Sequence, residues 1–285
     1  MRVALIVNPY ASKVTPELAE RVARAVGAGE TLVTEHAGHA TELVRDTDAD
    51  AVVVYSGDGG FNEALNGVRP ETVLGFVPGG GTSVLPRALG LPRDPVAAAA
   101  RLAAGRTRRI GLGRANGRRF GFAAGLGLDA ELVRRVDALG RRDDGKRPGD
   151  VAFARTALRT LAERRIRFDP ALEVVGHGRA AFALVANSDP YSYVGRLPLR
   201  LPRGADLERG LALLAPRSFR ARSLPGAVRY LATGRTRLPL VELHDVDRIE
   251  IRCDAPTPLQ LDGEDVGDVA EVVFEAERDA VAVLY

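Results

Sequence analysis

The stretch that decides the fold is VVVYSGDGGFNEALNG, residues 52–67. Together with Ala51 its opening residues make a continuous apolar run, the pattern of a strand buried on both faces. A glycine turn follows, and the remainder reads as a short helix. Strand, glycine turn and helix in that order can bring backbone N–H groups and a helix amino terminus close to phosphate oxygens, where the helix dipole favours negative charge. Gly57, Gly59 and Gly60 remove the side chains that would block this approach. Asp58 is the unusual member. A carboxylate beside phosphates is unfavourable unless a metal ion or its waters intervene, so Asp58 points to indirect contact with Mg²⁺ and a nucleotide. Taken alone, the GDG turn is equally well a tight strand-to-helix turn with Asp58 as a local cap.

Two flanking turns weigh against that plainer reading. NPYASK, residues 8–13, follows the apolar run 3–7, and PGGGTS, residues 78–83, follows the run 73–77. Both place polar or glycine residues at the carboxyl edge of a strand, where open α/β sheets bind ligands. Lys13 can pair with phosphate, and Gly80, Gly81, Thr82 and Ser83 form a third phosphate-sized loop. Between these turns lie helix and strand signals. Thr15 is an N-cap before Pro16, in a helix running to Gly27 with Leu18, Val22 and Val26 inward. Residues 31–34 read as a strand, 40–45 as a helix and 95–104 as another. This alternation specifies an α/β fold with a doubly wound, Rossmann-like amino-terminal domain over residues 1–111.

Beyond Gly111 the texture changes to short β-rich runs broken by Gly, Pro and Asp, at 119–124, 171–175, 180–186, 248–252, 259–262 and 269–275. That spacing predicts an antiparallel β-sandwich as a second domain, residues 112–279, interrupted by helices at 150–164 and 223–232. A mobile loop is expected at 141–147. No fixed-period repeat is present.

Composition narrows the function less than the motifs do. Of 285 residues, 46% are hydrophobic and 27% charged, which excludes a disordered chain. No apolar run approaches the roughly 20 residues of a membrane-crossing helix, and the amino terminus lacks the longer apolar stretch of a leader. A cytoplasmic protein is expected. The net charge of +3 gives no case for nucleic acid. Cys253, the single cysteine, reads as a small buried residue, and the four histidines show no compelling metal spacing. Nearly all cations are arginine. Arg217, Arg220, Arg222 and Arg229 surround the apolar Leu224, Val228 and Leu231, a basic amphipathic helix whose stripe is expected to pack on its own sandwich.

LQLDGED, residues 259–265, holds the late acidic pair Asp262 and Glu264 around Gly263. Asp-Gly between β-rich runs is a hairpin turn of the primed type. A hairpin tip can also present a carboxylate as a general base, accepting a hydroxyl proton during phosphoryl transfer.

Together these motifs resemble the diacylglycerol kinase catalytic domain family, which includes bacterial soluble lipid kinases and sphingosine kinases. In that family an NPxSGK-like segment, a GGDGT-NE segment, a P-x-GT-x-N segment and a late DGE occur in this order. Here they match Asn8-Pro9 with Lys13, Gly57-Asp58-Gly59 with Asn62-Glu63, Gly80 to Ser83, and Asp262-Gly263-Glu264. FAAGLGLDAELV, residues 122–133, and ALVANSD, residues 183–189, are similar to segments of its second domain. The resemblance implies ATP and Mg²⁺ as cofactors, a lipid acceptor met at a membrane surface, peripheral location there, and a last strand, 280–285, returning to the first domain. It implies nucleotide binding at Asn8, Pro9, Lys13, Gly57, Asp58, Gly59, Gly60, Glu63, Gly80, Gly81, Thr82 and Ser83, with Asp262, Asp58 and Glu264 catalytic. A homodimer is an arrangement it leaves open. Three positions depart from the pattern: Gly60 stands for a threonine, Ser83 for an asparagine, and Arg109 for an aspartate after the linking helix. Two alternatives stand beside a lipid kinase. One is a kinase of a soluble acceptor, since the GDG turn also resembles those of NAD kinases; the other is a nucleotide- or lipid-binding protein whose catalysis has decayed.

Overall fold

Contiguous β-branched and aliphatic residues build the centre of the first unit. The computed structural model describes residues 2–140 and 150–285, and the expected loop at 141–147 lies outside them. By contacts the chain divides into Met1–Leu112 with Arg278–Tyr285, and Gly113–Glu277. The first unit runs β1 (Val3–Val7), α1 (Pro16–Val26), β2 (Glu30–Val33), α2 (His39–Asp46), β3 (Ala51–Ser56), α3 (Asp58–Gly67), β4 (Val73–Pro78), α4 (Val84–Ala88) and α5 (Pro95–Leu102). β5 (Thr107–Ala115) then leads out of it. All pairings among β1 to β4 are parallel, in the order β2, β1, β3, β4. The final residues of the chain add a further parallel strand, with Ala282 opposite Val73 and Val283 opposite Leu74.

Every residue of β1 and β3 is buried. Each such aliphatic side chain withdrawn from water contributes about 1.5–3 kcal/mol, so these two strands anchor the unit. Helix ends follow local chemistry. Thr15 Oγ1 accepts from the Leu18 amide, Pro16 opens α1, and Gly27 closes it at φ 69°. Leu18, expected inside, is only half-buried, whereas Val22 and Val26 are fully so. Phe61 of α3 packs edge-to-face on Phe76 of β4 at 5.3 Å. Because the chain leaves β1 for β2 and then crosses back to β3, their carboxyl ends flank a topological switch point.

The second unit is mainly antiparallel. It contains β6 (Arg118–Phe120), β7 (Ala123–Leu126), α6 (Leu128–Asp137), α7 (Asp150–Glu163), β8 (Arg167–Phe168), β9 (Leu172–Val174), β10 (Gly178–Ala180) and β11 (Ala183–Ala186). There follow β12 (Ser192–Val194), β13 (Leu197–Leu199), β14 (Leu211–Pro216), β15 (Phe219–Arg220), α8 (Leu224–Thr233), β16 (Leu240–Val246), β17 (Arg248–Leu261) and the first part of β18 (Glu264–Leu284), whose residues from Arg278 onward belong to the first unit. β17 is central: β18 lines one edge, while β7 and β9 share the other. β7, β11, β14 and β16 continue the sheet in that order. Phe120, Leu126, Ile251, Leu259 and Phe274 fill the core, with Phe120 edge-to-face on Phe274.

Four sequence expectations change here. The single run 119–124 is two strands broken at Gly121 and Phe122, and 180–186 is likewise split. The runs 248–252 and 259–262 are instead one strand of 14 residues, with register shifts against β18 between Arg252 and Thr257 and between Leu259 and Gln260. Cys253 is half-buried rather than buried.

Candidate functional site

Backbone hydrogen bonds weave the turns after β1, β3 and β4 together. The Asn8 amide donates to the Tyr55 carbonyl at 3.0 Å, Lys13 N to Gly79 O at 2.9 Å, and Gly79 N to Ser56 O at 2.7 Å. Lys13 Nζ reaches Gly81 O at 3.4 Å. The Tyr55 hydroxyl donates to Lys13 O at 3.1 Å, and burial, reinforced by Asp94, pushes its pKa up to about 12 so that it stays a donor. Asn8 Oδ1 accepts from Tyr10 N, fixing the start of the first turn. The residues assigned to a nucleotide in all three turns therefore meet at one edge of the sheet.

Glycine is required there by contact. A Cβ on Gly80 would lie 2.8 Å from Gly57 Cα, so the second and third turns touch backbone to backbone. A Cβ on Gly79 would sit 2.9 Å from Ser56 O and against Val14 and Tyr55. Gly81 has open space around it. Ser83 adopts φ 49°, and its hydroxyl both accepts from Gly80 N and donates to Gly80 O. Asp58 starts α3, and its Oδ1 accepts the Val84 amide at 2.7 Å, joining the GDG turn to α4.

Two of the departures acquire a physical account. The first glycine of GGDGT falls on Ser56, whose hydroxyl fills the volume that a side chain on Gly60 would need. The bulk sits on residue 56, at the end of β3, rather than on residue 60 of α3. Ser56 Oγ is buried and has no hydrogen-bond partner among the described residues. Ser83 serves as the clamp on Gly80 already described. Arg109 is held by a carbonyl: its guanidinium donates through Nε and Nη2 to Asp279 O.

Glu63 stands apart from the turns. Its carboxylate accepts from Gly38 N at 2.9 Å and Ala40 N at 3.2 Å, capping α2, while its carbonyl accepts from Thr41 Oγ1. A surface recess at the opposite, amino ends of the strands is lined by Arg2, Asp48, Asp50, Arg69 and Glu71. Its walls are already paired, with Arg2 N on Asp50 and Arg69 on Glu71.

In the second unit Asp262 and Gly263 form the two-residue tip of the β17–β18 hairpin, both at positive φ, 51° and 82°. This is the turn the Asp-Gly pair predicts. Asp262 is only 3% exposed. Its Oδ2 accepts from Gly121 N at 2.6 Å, and its Oδ1 from Phe122 N at 2.9 Å and Ala123 N at 3.1 Å. The carboxylate thus occupies the gap between β6 and β7, which explains the break there. Asn187 completes the loop by donating Nδ2 to Gly121 O at 2.9 Å. Glu264 pairs with Arg118 at 3.0 Å.

Beneath the hairpin lies a group that the motifs did not single out. Asp129 Oδ2 accepts from both the Tyr191 hydroxyl and Gln260 Nε2 at 2.7 Å, and Gln260 Oε1 accepts from Gly263 N at 2.7 Å. Burial pushes the Asp129 carboxyl up, and the two hydrogen bonds pull it partly back. Burial, with the Asp129 charge, raises Tyr191 well above the usual phenol range. The available signal was Gln260 between Leu259 and Leu261, a polar side chain in an apolar strand.

The diacylglycerol kinase catalytic domain family matches residues 2–115. The diacylglycerol kinase of Bacillus subtilis is 34% identical over 144 residues, 46% of this chain and 48% of that protein. That of Staphylococcus epidermidis is 32% identical over 138 residues, 44% of this chain and 43% of its own length. The chain thus spans less than half the length of these relatives. A crystal structure of a diacylglycerol kinase from Bacillus anthracis superimposes with a TM-score of 0.72 at 22% identity, covering 100% of this chain and 96% of that one. That likeness is one of fold, and it extends over both units. Over residues 2–115 the chain is therefore similar to the diacylglycerol kinase catalytic domain family.

Proposed function

We propose that the chain is an ATP-dependent lipid kinase that transfers the γ-phosphate to the hydroxyl of a diacylglycerol-like amphiphile. The observation that carries this reading is the junction of three strand-to-helix turns at the switch point, two of them in backbone contact at Gly57 and Gly80. The unpartnered Ser56 hydroxyl and the backbone cradle fit the phosphates of a nucleotide, with Lys13 supplying positive charge. Asn8, Pro9, Gly59, Gly60, Gly81, Thr82 and Ser83 complete the loops we assign to it. Mg²⁺, when bound, would neutralise phosphate charge, and we assign Asp58 to hold it through water. Asp262 is assigned as the general base, and the amides of residues 121–123 hold its carboxylate in one position. Glu264 supports the same turn through Arg118.

Transfer from radiolabelled ATP to a total lipid extract, with the product identified by mass spectrometry, tests the proposal. A labelled phospholipid is expected. Label appearing only in a water-soluble acceptor, or ATP binding without any transfer, would overturn it.

A further inference from the structure

Residues 209–241 carry seven arginines and no acidic residue or lysine, in a chain whose net charge is only +3. Within this segment sits α8, and its placement differs from the expectation that its apolar stripe packs on the sandwich. Leu224, Val228 and Leu231 are 37%, 63% and 37% exposed. At i, i+4 and i+7 they form one stripe along the helix. The opposite side is the one that holds the helix down: Tyr230 is buried, with its hydroxyl on Glu242 at 2.5 Å, and Gly226 lies against Leu238. Arg203 adds an anchor at the carboxyl end through the Leu231 carbonyl. The outward stripe is therefore a feature of a helix that is firmly seated.

The charge around it is uncompensated. Arg222, Arg229, Arg235 and Arg237 are exposed, and none has an acidic partner among the described residues. Neighbouring Arg220, by contrast, is paired with Asp169. An apolar stripe flanked by unpaired guanidinium groups matches a surface with anionic oxygens above and hydrocarbon below. We propose that α8 docks this protein on an anionic lipid bilayer, with Leu224, Val228 and Leu231 entering the acyl boundary and the four arginines contacting lipid phosphates. The choice of a bilayer rests on the lipid-kinase reading, while the binding event itself does not require catalysis.

The test is co-sedimentation of the full chain with vesicles of phosphatidylcholine alone or mixed with phosphatidylglycerol, at low and high salt. Binding is expected to the anionic vesicles only, weakening with salt and by roughly fivefold for each arginine replaced by glutamine at 222, 229 or 235. Val228→Glu should abolish binding, while phosphorylation of a short-chain acceptor in free solution remains as in the parent. Equal binding to both vesicle types, or retention by the variants, overturns the proposal. So does a shift of Val228→Glu from dimer to monomer, which would make the stripe an interface between copies. Failure of short-chain transfer in the parent with vesicle binding intact would count against the kinase reading alone.

Discussion

The Ser56 hydroxyl occupies the space into which a side chain on Gly60 would project. Gly60→Thr, which restores the residue expected from the family pattern, should destabilise by about 1–3 kcal/mol through overpacking. Ser56→Gly removes the obstacle. The double variant Ser56→Gly/Gly60→Thr should recover most of the loss, giving a coupling energy of about 0.5–3 kcal/mol in urea unfolding. Additive effects would show that the two positions do not compete for the same volume.

Glu63 and Lys13 were both assigned to the nucleotide from sequence, and their surroundings now separate them. Glu63→Ala removes the acceptor for Gly38 N and Ala40 N at the start of α2, and should cost about 0.5–2 kcal/mol of stability. Lys13→Met removes charge from the glycine turns, and should weaken ATP binding roughly tenfold with little change in Tm. Titration with a fluorescent ATP analogue beside thermal melts checks both. An ATP loss larger in Glu63→Ala than in Lys13→Met would return Glu63 to the nucleotide.

The first unit was legible because its signals are local. β1, β3 and β4 are continuous apolar runs, Thr15 and Gly27 are caps within their own helix, and each glycine turn directly follows its strand. The second unit is set by partners far along the chain. Nothing near Gly121 announces that its amide is taken by Asp262, 141 residues later. Asp254, Pro256 and Pro258 look like the end of a strand, yet β17 absorbs Asp254 and Pro256 in a register shift and pairs Pro258 with Asp268. The stripe of α8 was read as core because amphipathicity fixes a helical face and leaves open what covers it.

Asp129 gives a pH-dependent prediction. Burial raises its carboxyl from the ordinary 3.8, so the folded state holds this proton more firmly than the unfolded chain. Its contribution to stability is full below the unfolded value and is lost as pH rises through the folded one. Asp129→Asn keeps an oxygen to accept from Tyr191 and Gln260 but has no proton to lose. The variant's stability relative to the parent should therefore rise from about pH 4 toward neutrality, measured by urea unfolding across that range. A difference independent of pH would show that Asp129 does not titrate in the folded protein.

Asp262→Asn is the decisive substitution at the DGE turn, and the geometry changes what it measures. Both oxygens of Asp262 accept backbone N–H groups, Oδ2 from Gly121 and Oδ1 from Phe122 and Ala123. Either orientation of an asparagine amide sets its NH₂ against at least one of these donors, so the variant should lose about 1–3 kcal/mol of stability whatever its catalytic role. Loss of activity alone would not separate a base from an anchor. Loss of the base should lower kcat by about 10²–10⁴-fold, leave ATP affinity nearly unchanged, and remove the acid limb of the kcat profile. Loss of an anchor should instead track the stability change, recovering as temperature is lowered while the acid limb persists. Single-turnover transfer across pH, at a temperature where both proteins are fully folded, distinguishes the two. A surviving acid limb in Asp262→Asn would leave Asp262 as the clamp between β6 and β7 and move the base elsewhere.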